Sequence, residues 1–377
     1  MKKSLVALAA LAATSAFAQF SIDGNMDVAY GSVNYKGNTV TGIINNGANT
    51  SQINFRGTEN LGGGLKASFR VETDWNTVSN NGNTGTKNAD GTVAAGSTFG
   101  NGEIRAGIAG GFGAIDAGAV NNAQLTAFLT GQPFGTAIGS AFRGVYVNDA
   151  ASAVNASVVR FDNSVRYTTP AMSGFSATVL QVVKNTKATV SNFSTTFGGY
   201  DYRGVSEYSL NYNQGPINAT YAVTKQDAAG VGSSAVSAYA TGTTATTYTT
   251  TDGSTTSTLK TLGGNYNLGA LTVYALNQNA SNSANTLDRS VTTLSAKYVM
   301  GVNDFMLQTG SAKNGLTGKK SNVLGAGYNY NLSKLSNIYV RYESIKDEAG
   351  IIPAASTIDG TSSTTRTRTA IGYKVGF

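Results

Sequence analysis

The chain has 377 residues, with 27 Lys and Arg against 20 Asp and Glu, a formal charge of +7, and neither histidine nor cysteine. Disulfides, thiolate metal sites and Cys nucleophiles are therefore excluded, and the commonest general base and metal ligand is missing, so no enzyme, cofactor or metal site is expected. Charged residues make up 12% against the usual ~25%, yet 19 Tyr and 15 Phe fall mostly inside alternating segments, which marks ordered structure.

At the start, Lys2 and Lys3 lead into the apolar run LVALAALAA and then AFA before Gln19. This pattern predicts a secretory signal over 1–18 and a mature chain over 19–377. Removing Lys2 and Lys3 takes the formal charge from +7 to +5. Beyond the signal, no stretch approaches the ~18 consecutive apolar residues of a transmembrane helix.

The remaining elements repeat with a period of two. In FSIDGNMDVAY, Phe20, Ile22, Met26, Val28 and Tyr30 share one face, and Ser21, Asp23, Asn25 and Asp27 the other. SQINFRGTE sets Ile53 and Phe55 against Asn54, Arg56 and Thr58, and GLKASFRVETDW sets Leu65, Ala67, Phe69 and Val71 against Lys66, Ser68, Arg70 and Glu72. Each reads as a strand with one apolar face. Similar runs at 100–109, 114–122, 158–169, 175–184, 204–213, 216–225, 258–267, 270–278, 289–299, 304–312, 321–331, 336–346 and 366–377 bring the number to sixteen.

Connections alternate between two kinds. Tight ones are rich in Gly, Pro or Asn, as in NLGGG, GGFG, PAMSG and QGP. Long polar ones span 36–49, 77–99, 123–157, 185–203, 226–257, 279–288, 313–320 and 347–365. Alternation alone fits a soluble sandwich or a membrane barrel. The even strand number and the short and long edges favour an all-β, sixteen-stranded antiparallel transmembrane barrel with a wet lumen.

Several segments resemble the β-proteobacterial type of Gram-negative general porin: TSQINFRGTENLGGGLKASFRVETDW, GEIRAGIAGGFGAIDAGAVNNAQL, RFDNSVRYTTPAMSGFSATV, LGAGYNYNLSKLSNIYVRYE and the terminal AIGYKVGF. The resemblance implies an outer-membrane homotrimer with short periplasmic turns, long extracellular loops and a third long loop, here 123–157, folded into the lumen. It also implies that the terminal strand, with Phe377, Val375 and Tyr373, is read by the barrel-assembly machinery.

A diffusion channel needs no catalytic group, so its chemistry lies in pore width and charge. Counted from the tight turns, Arg56, Arg70 and Arg105 fall at similar heights on inward positions, which predicts a basic band. Glu72, Glu103 and Asp116 fall a few residues away, within reach of pairing. Arg160 and Arg166, in the run at 158–169, are further lining candidates. Within 123–157 the charged residues are Arg143 and Asp149, so the loop offers little negative field. Small hydrophilic solutes with a weak to moderate preference for anions are the expected cargo, with outer-membrane lipid around the barrel. A substrate-selective anion porin and a surface adhesin are the alternatives. Tyr339 is expected to pack rather than bind. GGGLK and GGFGAIDAG lie between strands, unlike phosphate loops, and the scattered basic residues do not suit nucleic acid.

Overall fold

The computed structural model describes residues 19–35, 38–78, 99–142, 144–146, 159–182, 204–227, 255–352 and 365–377. The expected signal over 1–18 lies outside these residues. Seventeen strands form one antiparallel sheet: β1 (Gln19–Tyr35), β2 (Asn38–Asn45), β3 (Gln52–Gly62), β4 (Leu65–Asp74), β5 (Ile104–Gly110), β6 (Gly113–Asn121), β7 (Arg160–Thr168), β8 (Phe175–Val182), β9 (Val205–Gln214), β10 (Ile217–Asp227), β11 (Thr256–Asn267), β12 (Leu271–Asn282), β13 (Asp288–Met300), β14 (Asn303–Asn314), β15 (Lys320–Asn331), β16 (Ser336–Asp347) and β17 (Thr365–Gly376).

β1 begins the ring and shuts it. One edge pairs with β17 from Asn25↔Gly376 to Tyr35↔Arg366. The other edge is shared, with β3 opposite residues 19–25 and β2 opposite residues 28–35. Together β2 and β3 occupy one position in the wall, so seventeen strands build a closed sixteen-position barrel. The sequence reading placed 36–49 in a loop, whereas 38–45 is a strand hairpinned to β1. Its adjacent Ile43 and Ile44 break the period of two because Ile44 turns inward onto a cluster with Ala29 and Tyr339. Two connections read as long are tight: β12 runs to Asn282 with β13 starting at Asp288, and β14 runs to Asn314 with β15 starting at Lys320.

The polarity of the wall decides between sandwich and barrel. On β13, Leu294 is 59% exposed while its neighbours Thr293 and Ser295 are 0% and 7% exposed. β11 repeats this, with Leu262 exposed and Thr261 buried. A soluble sheet would do the reverse. Apolar side chains outside and polar ones inside suit a lipid surround and a wet interior, and the β1–β17 pairing that closes the ring gives both end strands the partners that lipid lacks. Near the short-turn rim the outer face carries Tyr266, Tyr298, Phe305, Tyr330, Tyr373 and Phe377, an aromatic girdle. At that rim, Gly62, Gly63 and Gly64 take φ of 82°, 59° and 83° in the β3–β4 turn, a conformation that costs other residues.

The seam finishes at the end of β17. The Phe377 N–H donates to the Gly24 carbonyl at 3.0 Å, and the Gly24 N–H donates back at 3.1 Å. A Cβ on Gly24 would strike the Phe377 ring, so the glycine makes room for the aromatic. Phe377→Ser should therefore lower the yield of refolded, SDS-resistant barrel several-fold. Barrels that do fold should keep an unchanged zero-current potential in planar bilayers, and a changed one would show that Phe377 acts on the pore.

Candidate functional site

Between β6 and β7 the chain turns into the ring. Helix α1 (Ala123–Thr130) starts where the Asn122 side chain accepts the Leu125 N–H at 2.9 Å, and ends at Gly131, whose N–H reaches Ala127 and Phe128. A wall carboxylate, Glu207 on β9, accepts the Ala123 N–H at the positive end of the helix. Gln124 donates to Thr224 at 2.8 Å and accepts from Thr261, while Asn265 donates to the Thr130 carbonyl at 2.9 Å. At Gly263 the wall lets the helix backbone approach so closely that a Cβ would strike the Ala127 carbonyl.

Beyond α1 the loop has its own small core. Phe128 packs on Phe142 and Tyr146, with ring centroids 4.6 and 5.0 Å apart, and this group rests on Leu276, Val291, Ala312, Val323 and Ile345 of β12–β16. The Tyr146 hydroxyl lies 2.8 Å from the Thr293 hydroxyl, and burial pushes its pKa up. Gln308 donates to the Ser140 carbonyl at 3.0 Å.

Glu343 on β16, wholly buried, pins the loop. It accepts the N–H groups of Gly139 at 3.1 Å and Ala141 at 2.9 Å, and on its other side pairs with Arg366 and Arg368 of β17. A second inward excursion, 46–51, lies beside it between β2 and β3. There the Asp27 carboxylate accepts N–H groups from Gly47, Ala48 and Asn49 and the Tyr339 hydroxyl. The two excursions touch where Ile138 donates to the Gly47 carbonyl at 3.3 Å. Tyr339 is thus a packing group, as the sequence suggested.

These contacts hold the loop to β9–β17 and to the excursion, and the arc from β3 to β8 makes up the rest of the ring. Arg56, Arg70 and Arg105 stand side by side there, as Arg56↔Arg70 and Arg70↔Arg105 are direct cross-strand partners. Carboxylates are woven between them. Arg56 pairs with Asp23 at 2.7 Å, Arg70 with Glu72 and with Glu103 at 2.7 Å, and Arg105 with Asp116 at 2.6 Å. Arg166 reaches the second oxygen of Asp116 at 2.7 Å, and Arg160 lies 3.7 Å from Asp74. Five arginines face five carboxylates in this row. Arg56 is the most open, its side chain 42% exposed. Arg143 and Asp149 lie outside the described residues.

The sequence reading missed the residues that hold the loop, Glu343, Glu207 and Gly263, and Asp27, which holds the excursion 46–51. One signal was present. Val323 beside Leu324 and Ile345 on an otherwise polar inner face break the period of two where the loop docks.

A family model described as Gram-negative porin matches residues 4–350. The chain belongs to the Gram-negative porin family. This porin is 28% identical to outer membrane porin protein 32 of Delftia acidovorans over 360 residues, 92% of this chain and 90% of that one. It is 33% identical to an outer membrane porin protein of Bordetella pertussis over 194 residues, 46% of each chain. Among solved structures, an anion-selective porin from Comamonas acidovorans superposes with a TM-score of 0.68 at 23% identity, covering 96% of this chain and all of that one. The porin is an outer-membrane protein, and its barrel encloses a channel narrowed by the loop after β6.

Glu343→Gln should weaken both loop hydrogen bonds and leave Arg366 and Arg368 short of a counter-charge. The folded barrel should lose about 3 kcal/mol in denaturant unfolding in micelles. Single-channel recordings should show added current noise, whereas a quiet trace would mean that the other contacts suffice to hold the loop.

Proposed function

We propose that this porin is a passive diffusion channel for small hydrophilic solutes, weakly favouring anions, and that it works as a homotrimer. Solutes pass between the docked loop and the β3–β8 arc. The observation that carries the sign is the uneven charge on the docked side of the lumen. There Arg289, Arg341, Arg366, Arg368 and Lys374 stand against Asp27, Glu343 and Asp347. Elsewhere Lys297 and Asp304 pair at 3.1 Å, and Glu207 returns one negative charge.

The arginine row on the open side is charge-balanced, so it orders water and solute by local fields rather than by a net potential. Fields beyond ~8 Å are screened at physiological salt, which confines the effect to groups at the narrowing. The name of the Comamonas structure, an anion-selective porin, agrees with this sign. The expected signal over residues 1–18 would direct the chain across the inner membrane, and the girdle aromatics Tyr373 and Phe377, with Val375, would serve as the signal for the assembly machinery.

The test is the zero-current potential in a planar bilayer under a KCl gradient. The wild type should give a small anion-signed potential, moved toward zero by Arg368→Ala, which leaves Glu343 paired with Arg366 alone. Arg56→Ala should shift it toward cations, Asp116→Asn should strengthen the anion sign, and Lys319→Ala in an outer turn should barely register. A cation-signed wild type would overturn the charge assignment.

A further inference from the structure

Residues 46–51, the second segment to enter the ring, are fixed by one wall carboxylate. Asp27, wholly buried on the inner face of β1, accepts the N–H groups of Gly47, Ala48 and Asn49 at 3.3, 2.8 and 2.7 Å, and the Tyr339 hydroxyl completes its shell. Three consecutive N–H groups closing on one anion set the backbone between them. The segment also closes on itself. Asn46, at a φ of 63°, accepts the Ser51 N–H at 2.7 Å, and the Ser51 hydroxyl donates to the Asn45 side chain at 2.9 Å. A Cβ on Gly47 would strike the Tyr339 hydroxyl, so the glycine lets the segment reach the wall.

Two parts of the site meet here. On one side the segment touches the docked loop, where the Ile138 N–H donates to the Gly47 carbonyl at 3.3 Å and the Thr50 and Thr136 hydroxyls lie 3.5 Å apart. On the other side it runs into β3. There Asn54 donates to Asp23 at 3.0 Å and accepts from Arg70 at 2.8 Å, and Arg56 follows two residues later. The segment therefore stands between the loop and the arginine row.

Within it, Gly47 and Ser51 are buried, Asn46, Ala48 and Thr50 are half-buried, and Asn49 is exposed. The Asn49 N–H is held by a carboxylate on the inner face, so its side chain is exposed to the interior of the ring rather than to lipid. Its Oδ1 accepts the Thr50 N–H at 3.1 Å, which orients the amide. Among the described residues its Nδ2 group has no partner, and that group carries two donor protons.

We propose that 46–51 is a second narrowing element of the channel and that Asn49 is a specificity-determining residue, offering uncharged donors to the anionic and polar oxygens of passing solutes. The inference rests on the reading of this protein as a channel. An amide at this place adds hydrogen-bond donors without adding net charge, whereas a carboxylate there would oppose anions.

The chain has no native cysteine, so a single introduced thiol reports on one place. Full-length Asn49→Cys channels in a planar bilayer are treated with a sulfonate-bearing or a trimethylammonium-bearing methanethiosulfonate reagent while current is recorded. Both should lower single-channel conductance, by at least about 1.5-fold. Under a KCl gradient the sulfonate should move the zero-current potential toward cations and the ammonium toward anions. Asn49→Asp, which keeps an acceptor for the Thr50 N–H, should shift it as the sulfonate does. Thr317→Cys, in the exposed β14–β15 turn, should react and change neither reading. A wild type that passes no current would overturn the channel reading and this inference with it. With wild-type current present, an Asn49→Cys channel that resists labelling, or is labelled with conductance and potential unmoved, would overturn the inference alone. Shifts of one sign from both reagents would reveal a structural disturbance rather than a lining charge, and would overturn it as well.

Discussion

Hydrocarbon offers no hydrogen-bond partner to a peptide group, so each strand of this wall depends on the two beside it. That requirement explains the length of β1. It must meet β17 on one edge and both β2 and β3 on the other, because the chain breaks its second wall position to send residues 46–51 inward. It also explains why the final backbone groups are bonded to Gly24 rather than left to a frayed end. Once the ring closes, the outer surface has to be apolar and the inner surface is free to be polar.

Inside, the same difficulty recurs on a smaller scale. Two insertions enter the lumen with backbone N–H groups that no strand pairs. The wall answers with buried carboxylates: Glu207 at the start of α1, Glu343 at Gly139 and Ala141, and Asp27 at Gly47, Ala48 and Asn49. Aromatic packing of Phe128, Phe142 and Tyr146 supplies the apolar part of the attachment. Buried charge here serves as a mechanical fixing, whereas the charges on the opposite arc pair with one another.

The wall was legible because strand periodicity is a local property, and alternation in segments such as SQINFRGTE survives without knowledge of neighbours. β2 was not, since Ile43 and Ile44 serve opposite faces and only the inward excursion beside them explains why. Height counting brought Arg56, Arg70 and Arg105 to one level, which the register reproduces. What it could not supply is which carboxylate each arginine reaches. That depends on rotamers across five strands, β1 and β3–β6, and it turns a basic band into a balanced lattice. The fixing of the loop was hidden for a similar reason: Glu343 lies some 200 positions from Gly139 in sequence, and only folding joins them.

Because α1 rests against Gly263, its backbone sits as near the wall as a chain can come. The position of the helix is therefore set from behind the loop, by side-chain volume on β11, while the paired arginines and carboxylates belong to strands on the other side of the ring. The position of the loop and the arginine row are thus inherited from separate stretches of sequence. A lineage of such proteins has one dial behind the loop, bulk on β11, that turns without touching the arginine row of the opposite arc.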